Sequence, residues 1–230
     1  MFTGIVQKLL PITQIQHQQG LLKYAIHLED QTNLKVGASI AIDGTCQTVV
    51  RIDGTNVWFD AIPETLEKTT LKNLIVGQLV NMERAAKFGD EIGGHILSGH
   101  VYGTATLTNI HENQYTFQCP AEWMKYFFEK GFIAIDGASL TLVDVDGKGA
   151  FSVHLIPETL LRTTLGFKKT GALVNIEIDS QTQTIVECCT RISTQRRVVT
   201  HPRTHFQRKE AKAQRNAKNF KKVKKVKKVI

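Results

Sequence analysis

Two small antiparallel β-barrels, one a reworked copy of the other, are the architecture this sequence predicts, and two observations carry the prediction. Residues 37–83 recur with small changes at 131–177, at an offset of 93 residues in the block that starts at Ile42 and Ile135 and 94 after the Asp53-Gly54 and Asp146-Gly147 turns. A period of that size is a domain length, too long for a solenoid repeat. Within each copy, short β-rich runs are punctuated by Asp-Gly turns, with little 3.6-residue periodicity between them. That is the pattern of a small antiparallel barrel.

The elements follow in order. In the first copy Ser39-Ile40-Ala41-Ile42 reads as a strand closed by the hairpin turn Asp43-Gly44, and the polar stretch Thr45-Cys46-Gln47-Thr48 comes next. Residues 63–71, from Pro63-Glu64-Thr65-Leu66 to Thr69-Thr70-Leu71, open at a proline and suit one or two helical turns. Val80-Asn81-Met82-Glu83 then returns to strand. The second copy repeats this series: Ile135-Asp136-Gly137-Ala138-Ser139-Leu140-Thr141, Pro157-Glu158-Thr159-Leu160, Thr163-Thr164-Leu165 and Val174-Asn175-Ile176-Glu177-Ile178. It adds a short helix over 121–128, and residues 181–197 are expected to carry a last strand and then a helix.

The chain of 230 residues suits two domains, 1–96 and 97–190, each near the size at which one hydrophobic core suffices, followed by a segment 191–230. The net charge of +8 belongs to that last segment alone. From residue 191 onward there are 15 Lys/Arg against Glu210, whereas residues 1–190 carry a balance of −6. The run at 221–230 is low-complexity and like-charged, which reads as a solvated or disordered segment; contact with a polyanion is the sharper alternative. No apolar run is long enough to span a membrane, and the first residues lack the basic flank and apolar stretch of a signal peptide. Cys46, Cys119, Cys188 and Cys189 have no metal-type spacing, so a reducing, cytoplasmic environment and no metal are expected.

Phosphate loops, dinucleotide fingerprints, nucleophile elbows and zinc signatures are absent, so hydride transfer and metal hydrolysis have no residues to support them. What recurs is the polar stretch of each copy and the Pro-Glu-Thr turn after it. Hydroxyls and free backbone groups on such turns can meet the edge of a flat heterocycle or a polyol chain. They equally well cap turns and fill strand positions, and a duplicated fold needs its turns twice.

Four blocks in the right order carry a family resemblance. They are the start Met1-Phe2-Thr3-Gly4-Ile5-Val6, the stretch from Gly37 through Asp43-Gly44-Thr45-Cys46 to Val49, the run from Asn81-Met82-Glu83-Arg84 to Gly93-Gly94-His95-Ile96-Leu97-Ser98-Gly99-His100-Val101, and His154-Leu155-Ile156-Pro157-Glu158-Thr159-Leu160. Residues 1 to about 190 resemble the riboflavin synthase alpha-chain family on these motifs. The resemblance implies two six-stranded Greek-key barrels that each bind one lumazine. It also implies a homotrimer held partly by C-terminal helices, and a possible association with lumazine synthase. The implied reaction is a transferase dismutation in riboflavin biosynthesis. Two molecules of 6,7-dimethyl-8-ribityllumazine exchange a four-carbon unit, giving riboflavin and 5-amino-6-(D-ribitylamino)uracil with no cofactor. The family pattern does not include the basic segment after about residue 195.

Carried over by resemblance, the first-barrel ligand set is Gly4, Ile5, Val6, Cys46, Gln47, Thr48, Asp60, Ala61, Ile62, Pro63, Glu64 and Thr65. The second-barrel set is Gly99, His100, Val101, Lys130, Ser139, Leu140, Thr141, His154, Leu155, Ile156, Pro157, Glu158 and Thr159. Cys46, His100, Ser139 and Asp136 are the candidate catalytic residues. Cys46 holds the place of Ser139, so the two sites carry different nucleophilic groups. His100 is the expected proton-transfer group, since an imidazole titrates near the working pH, and His95 is expected to give structural support. Each has a plainer alternative: Cys46 as a small buried hydrophobe, Asp136 as a turn closer like Asp43, Lys130 as a solvated lysine. At the level of the whole chain the alternatives are a non-catalytic lumazine carrier, like the optical antenna proteins that share the double barrel, and nucleic-acid binding through the basic segment.

Overall fold

In a computed structural model of the chain, which describes residues 1–18 and 20–199, each sequence copy closes into a six-stranded antiparallel barrel. The first contains β1 (Lys8–Gln18), β2 (Leu21–His27), β3 (Ser39–Ile42), β4 (Thr45–Asp53), β5 (Asn56–Ala61) and β6 (Leu79–Arg84), in the circular order β1-β2-β5-β4-β3-β6. The second contains β7 (Gly103–His111), β8 (Gln114–Gln118), β9 (Phe132–Ile135), β10 (Ala138–Val145), β11 (Ala150–His154) and β12 (Leu173–Ile178). Its order, β10-β11-β8-β7-β12-β9, is the same cycle. Register shifts recur at matching places, between Ile12 and Gln14 and Val49 and Arg51 in one barrel, and Leu107 and Asn109 and Leu142 and Val145 in the other. Such bulges increase local twist and let short strands coil far enough to close.

Alternation fills the interiors. Val57, Phe59 and Ala61 of β5 point inward with Tyr24, Ile26 and Ile40, and Phe117, Phe151, Leu107 and Ile135 fill the second barrel. The prolines open short helices where expected, α1 (Pro63–Lys68) and α2 (Pro157–Arg162), each followed by a 3-10 turn. The helix read at 121–128 is a 3-10 helix, Ala121–Tyr126.

One expectation fails. Residues 181–197 form no strand; they lie within a single helix, α3 (Ser180–Val199), directly after β12. The β-branched Thr182, Thr184, Ile185 and Val186 favour strand by propensity. The start signal outweighs them: Asp179 accepts hydrogen bonds from the Thr182 backbone N–H at 2.8 Å and hydroxyl at 2.6 Å, capping the helix.

Both barrels lie in one compact unit, Met1–Val186; Glu187–Ile230 is a second. Residues 200–230, on which most of the polyanion expectation falls, lie outside the described residues. Among the described residues no helix is long and apolar enough to cross a membrane.

A buried polar joint with local two-fold character fastens the barrels. The Asn81 side-chain amide donates to Asp136 O and that of Asn175 to Asp43 O, both at 2.8 Å. Their carbonyl oxygens accept from Thr164 N and Thr70 N, also at 2.8 Å. Asp43 accepts from Asn81 N and Asp136 from Asn175 N. The repeated Asp-Gly, Asn and Thr-Thr of the sequence all meet here. Gly44, at φ +75°, abuts Gly137 so closely that a Cβ would stand 2.5 Å from its nitrogen, which excludes any side chain.

The joint is not symmetric in charge. Lys168 pairs with Asp136 at 3.1 Å, and Leu74 holds the equivalent place in the first copy. Burial raises both carboxyls, and Asp43, beside Asp136 and lacking a cation of its own, is pushed up to about 8. A carboxyl raised in the fold contributes stability that is whole below its unfolded pKa of about 4 and lost as pH rises through about 8. The Asp43→Asn variant should therefore lose less stability than the parent between pH 6 and 9 in urea titrations, by on the order of 2 kcal/mol. Parallel curves for the two proteins would show that Asp43 does not titrate in the joint.

Candidate active site

The hairpins that follow the joint carry the polar stretches of both copies. Cys46, partly exposed at the start of β4, gives its backbone N–H to Gly99 O at 2.8 Å, and Ser139 on β10 gives its own to Gly4 O at 2.8 Å. The partners are crossed: the strap over the first barrel's hairpin comes from residues 98–101, and the strap over the second comes from residues 3–6. A cavity of about 200 Å³ is lined by Cys46, Glu64, Thr65, Gly99, His100 and Val101, together with Thr45, Lys68 and Thr69. This corrects the expected grouping. Gly99, His100 and Val101 belong with Cys46, and Gly4 belongs with Ser139.

Both straps need glycine. Gly4 and Gly99 lie at φ +76° and +80°, and a Cβ on either would stand 2.6 Å from the Cβ of Ser139 or Cys46. Around Cys46 the floor is polar. Thr69 is buried with its hydroxyl on Thr65 O at 2.7 Å, and the buried Thr45 hydroxyl has no protein partner. The second barrel has Ala138 in place of Thr45, so the two floors differ by a hydroxyl as well as by thiol against alcohol.

Beside Ser139 stands a residue whose role the sequence reading missed. His95 Nδ1 lies 2.6 Å from Ser139 Oγ, and its ring stacks on Phe132 with centroids 5.0 Å apart. Burial lowers the imidazole pKa, against an opposing pull from Asp179. His95 Nε2 is buried without a protein partner. A neutral imidazole at hydrogen-bond distance from a hydroxyl is the arrangement that activates the hydroxyl. The available signal was Gly93-Gly94: a Cβ on Gly94 would meet Thr3 O at 2.5 Å and Ser139 Cβ at 2.6 Å, so the glycine lets the loop press His95 onto the hairpin.

Other predicted residues fall elsewhere. Asp136 is fully buried in the joint, bonded to Asn175 N and paired with Lys168, and lines neither hairpin site; its expected catalytic role gives way to a structural one. Asp60 pairs with Lys23 at 3.5 Å in a separate hollow beside Trp58. Gln47, Ala61, Leu140 and Leu155 are buried, whereas Thr48, Thr141, His154, Ile5, Ile62 and Ile156 are exposed. Val6 packs into the second barrel's core. Pro63 and Pro157 open their helices, Glu64 pairs with Lys68 at 2.9 Å, Glu158 pairs with Arg162, and Thr159 O accepts from the Thr163 hydroxyl. Lys130 is exposed at φ +63°. Among the described residues no group of His, Cys, Asp and Glu could hold a metal ion.

Two closed barrels in one chain, each with a glycine-strapped polar hairpin, define a duplicated small-ligand-binding protein. The lumazine binding domain family matches twice, at residues 3–85 and 98–179. The riboflavin synthase of Chlamydia pneumoniae is 50% identical over 194 residues, 84% of this chain and 96% of the relative. That of Escherichia coli K12 is 49% identical over 199 residues, 84% and 93% of the two chains. The chain belongs to the riboflavin synthase family. Among solved structures, LumP complexed with riboflavin is 27% identical with a TM-score of 0.71, covering 77% of this chain and 99% of that one. LumP complexed with 6,7-dimethyl-8-(1'-D-ribityl) lumazine is 28% identical with a TM-score of 0.69, covering 78% and 100%.

Proposed function

We propose that this protein is a transferase of riboflavin biosynthesis that converts two molecules of 6,7-dimethyl-8-ribityllumazine into riboflavin and 5-amino-6-(D-ribitylamino)uracil. The observation that carries this reading is the pair of strapped hairpins, Cys46 with His100 in one barrel and Ser139 with His95 in the other, in a chain of this family. The two products together contain all the atoms of the two substrates, so the exchange needs no outside oxidant or reductant. Much of the acceleration then comes from holding two flat rings face to face in a cleft that excludes water.

The chemistry asks little of any single side chain. The 7-methyl group of an electron-poor lumazine is acidic, and a hydroxyl paired with a neutral imidazole is base enough to take its proton. Ser139 and His95 supply that pair in the second barrel. In the first, the Cys46 thiol opens to the cavity beside His100, so the two rings meet different groups. Thr45, Thr65 and free backbone groups of the hairpins meet the pyrimidine edge or the ribityl chain.

The two rings come from different subunits of a homotrimer. Each barrel offers one ring-binding surface and the reaction needs two rings stacked within bonding distance, which supports pairing the first barrel's site with a second-barrel site of a neighbour. The four free cysteines support a cytoplasmic setting. Association with a lumazine synthase, and polyanion contact through residues 191–230, complete the proposal.

Purified protein given only the dimethyl-ribityllumazine should form one riboflavin for every two lumazines consumed, followed by absorbance and chromatography. A carrier would bind lumazine tightly and leave it unconsumed, and that result would replace the enzyme reading.

A further inference from the structure

The strand that ends each copy, Val-Asn-Met-Glu or Val-Asn-Ile-Glu, closes on a buried glutamate, and neither glutamate lines the Cys46 cavity. A buried carboxylate is costly unless its oxygens are well hydrogen-bonded. Glu83 Oε1 accepts from Thr3 N at 2.5 Å and the Thr3 hydroxyl at 2.8 Å, while Oε2 accepts from Gly4 N at 3.2 Å. Glu177 repeats the pattern with Ser98 N and Oγ, both at 2.7 Å, and Gly99 N at 3.0 Å. Thr3 and Ser98 then accept from Ile5 N and His100 N through the same hydroxyls, closing each strap into a turn.

What each carboxylate holds is the other barrel's site. The strap fixed by Glu177, a β12 residue of the second barrel, presents Gly99 O to Cys46 N and sets His100 in the first barrel's cavity. The strap fixed by Glu83, a β6 residue of the first barrel, presents Gly4 O to Ser139 N, and Thr3 O lies against Gly94, next to His95.

We propose that Glu83 and Glu177 are positioning residues whose action crosses the molecule, Glu177 setting the Cys46–His100 site and Glu83 the Ser139–His95 site. The catalytic meaning of this crossing rests on the lumazine reading; the crossing itself does not. A carboxylate suits the task because it accepts from all three donors, whereas a glutamine turns an amide N–H₂ toward one of them.

The test needs no substrate. In full-length protein carrying Cys188→Ser and Cys189→Ser, with Cys119 buried, modification by dithionitrobenzoate reads Cys46, and ¹⁵N NMR of the imidazoles reads His95. Glu177→Gln should change the Cys46 modification rate about tenfold while leaving the His95 signals in place. Glu83→Gln should shift His95 and leave the thiol rate unchanged. If a glutamine variant does not fold, Ser98→Ala and Thr3→Val each remove one donor from the same clamp and should show the same crossing in weaker form. Each variant disturbing its own barrel, or both variants disturbing both probes alike, would overturn the proposal. A parent protein that forms no riboflavin while the crossing holds would instead count against the lumazine reading alone.

Discussion

Replacing Lys168 by methionine should cost about 3–5 kcal/mol of stability at pH 7, because it leaves Asp136 buried beside Asp43 with no cation in the joint. Methionine keeps most of the apolar stem, so lost packing accounts for little of the effect. Two further measurements separate charge from shape. The deficit should shrink as the pH falls towards the ordinary carboxylate range, where protonating the raised Asp136 carboxyl costs progressively less, and Asp136→Asn in the same chain should recover most of it. A single-variant loss below about 1 kcal/mol in urea titrations would mean that the pair merely breaks even with its own desolvation.

The second large effect is catalytic. Ser139→Ala should lower kcat about a hundredfold or more, the range expected when a proton-transfer group is lost, while lumazine affinity falls by no more than about tenfold. The variant keeps the Cβ that packs under Gly4 and Gly94, and its N–H still reaches Gly4 O, so the hairpin retains its shape. It removes only the oxygen 2.6 Å from His95 Nδ1. Turnover within about threefold of the parent would leave His95 and Ser139 as a structural contact and move proton transfer to the first barrel.

Much of this fold is legible in the sequence because its information is local and repeated. Asp-Gly turns, proline-opened helical turns and alternating strands each carry their own physical signature, and duplication shows each of them twice. What escapes is what depends on one copy touching the other. Gly4 and Gly99 are equivalent by sequence, so each is naturally assigned to its own barrel; that each straps the opposite hairpin is decided by contacts between residues far apart in the chain. Asp136 invites a catalytic reading for the same reason, since nothing near it in sequence announces Asn175, Lys168 or the facing Gly44. His95 looks like support until its loop is folded onto Ser139. The C-terminal helix is legible but its start is obscured by β-branched residues, and the cap that decides it, Asp179 on Thr182, is a three-residue signal against a longer propensity.

Riboflavin formation is expected where a first-barrel site and a second-barrel site from two chains meet. Two variants test it, one with Cys46 and His100 replaced by alanine, the other with Ser139 and His95 replaced by alanine. Each alone should be nearly inactive. Unfolded together and refolded into mixed assemblies, verified by mass, they should regain a substantial part of the parental rate of riboflavin formation, because an intact site of each kind can pair across chains. Mixed assemblies that form and stay as inactive as the separate variants would show that both rings are bound within one chain.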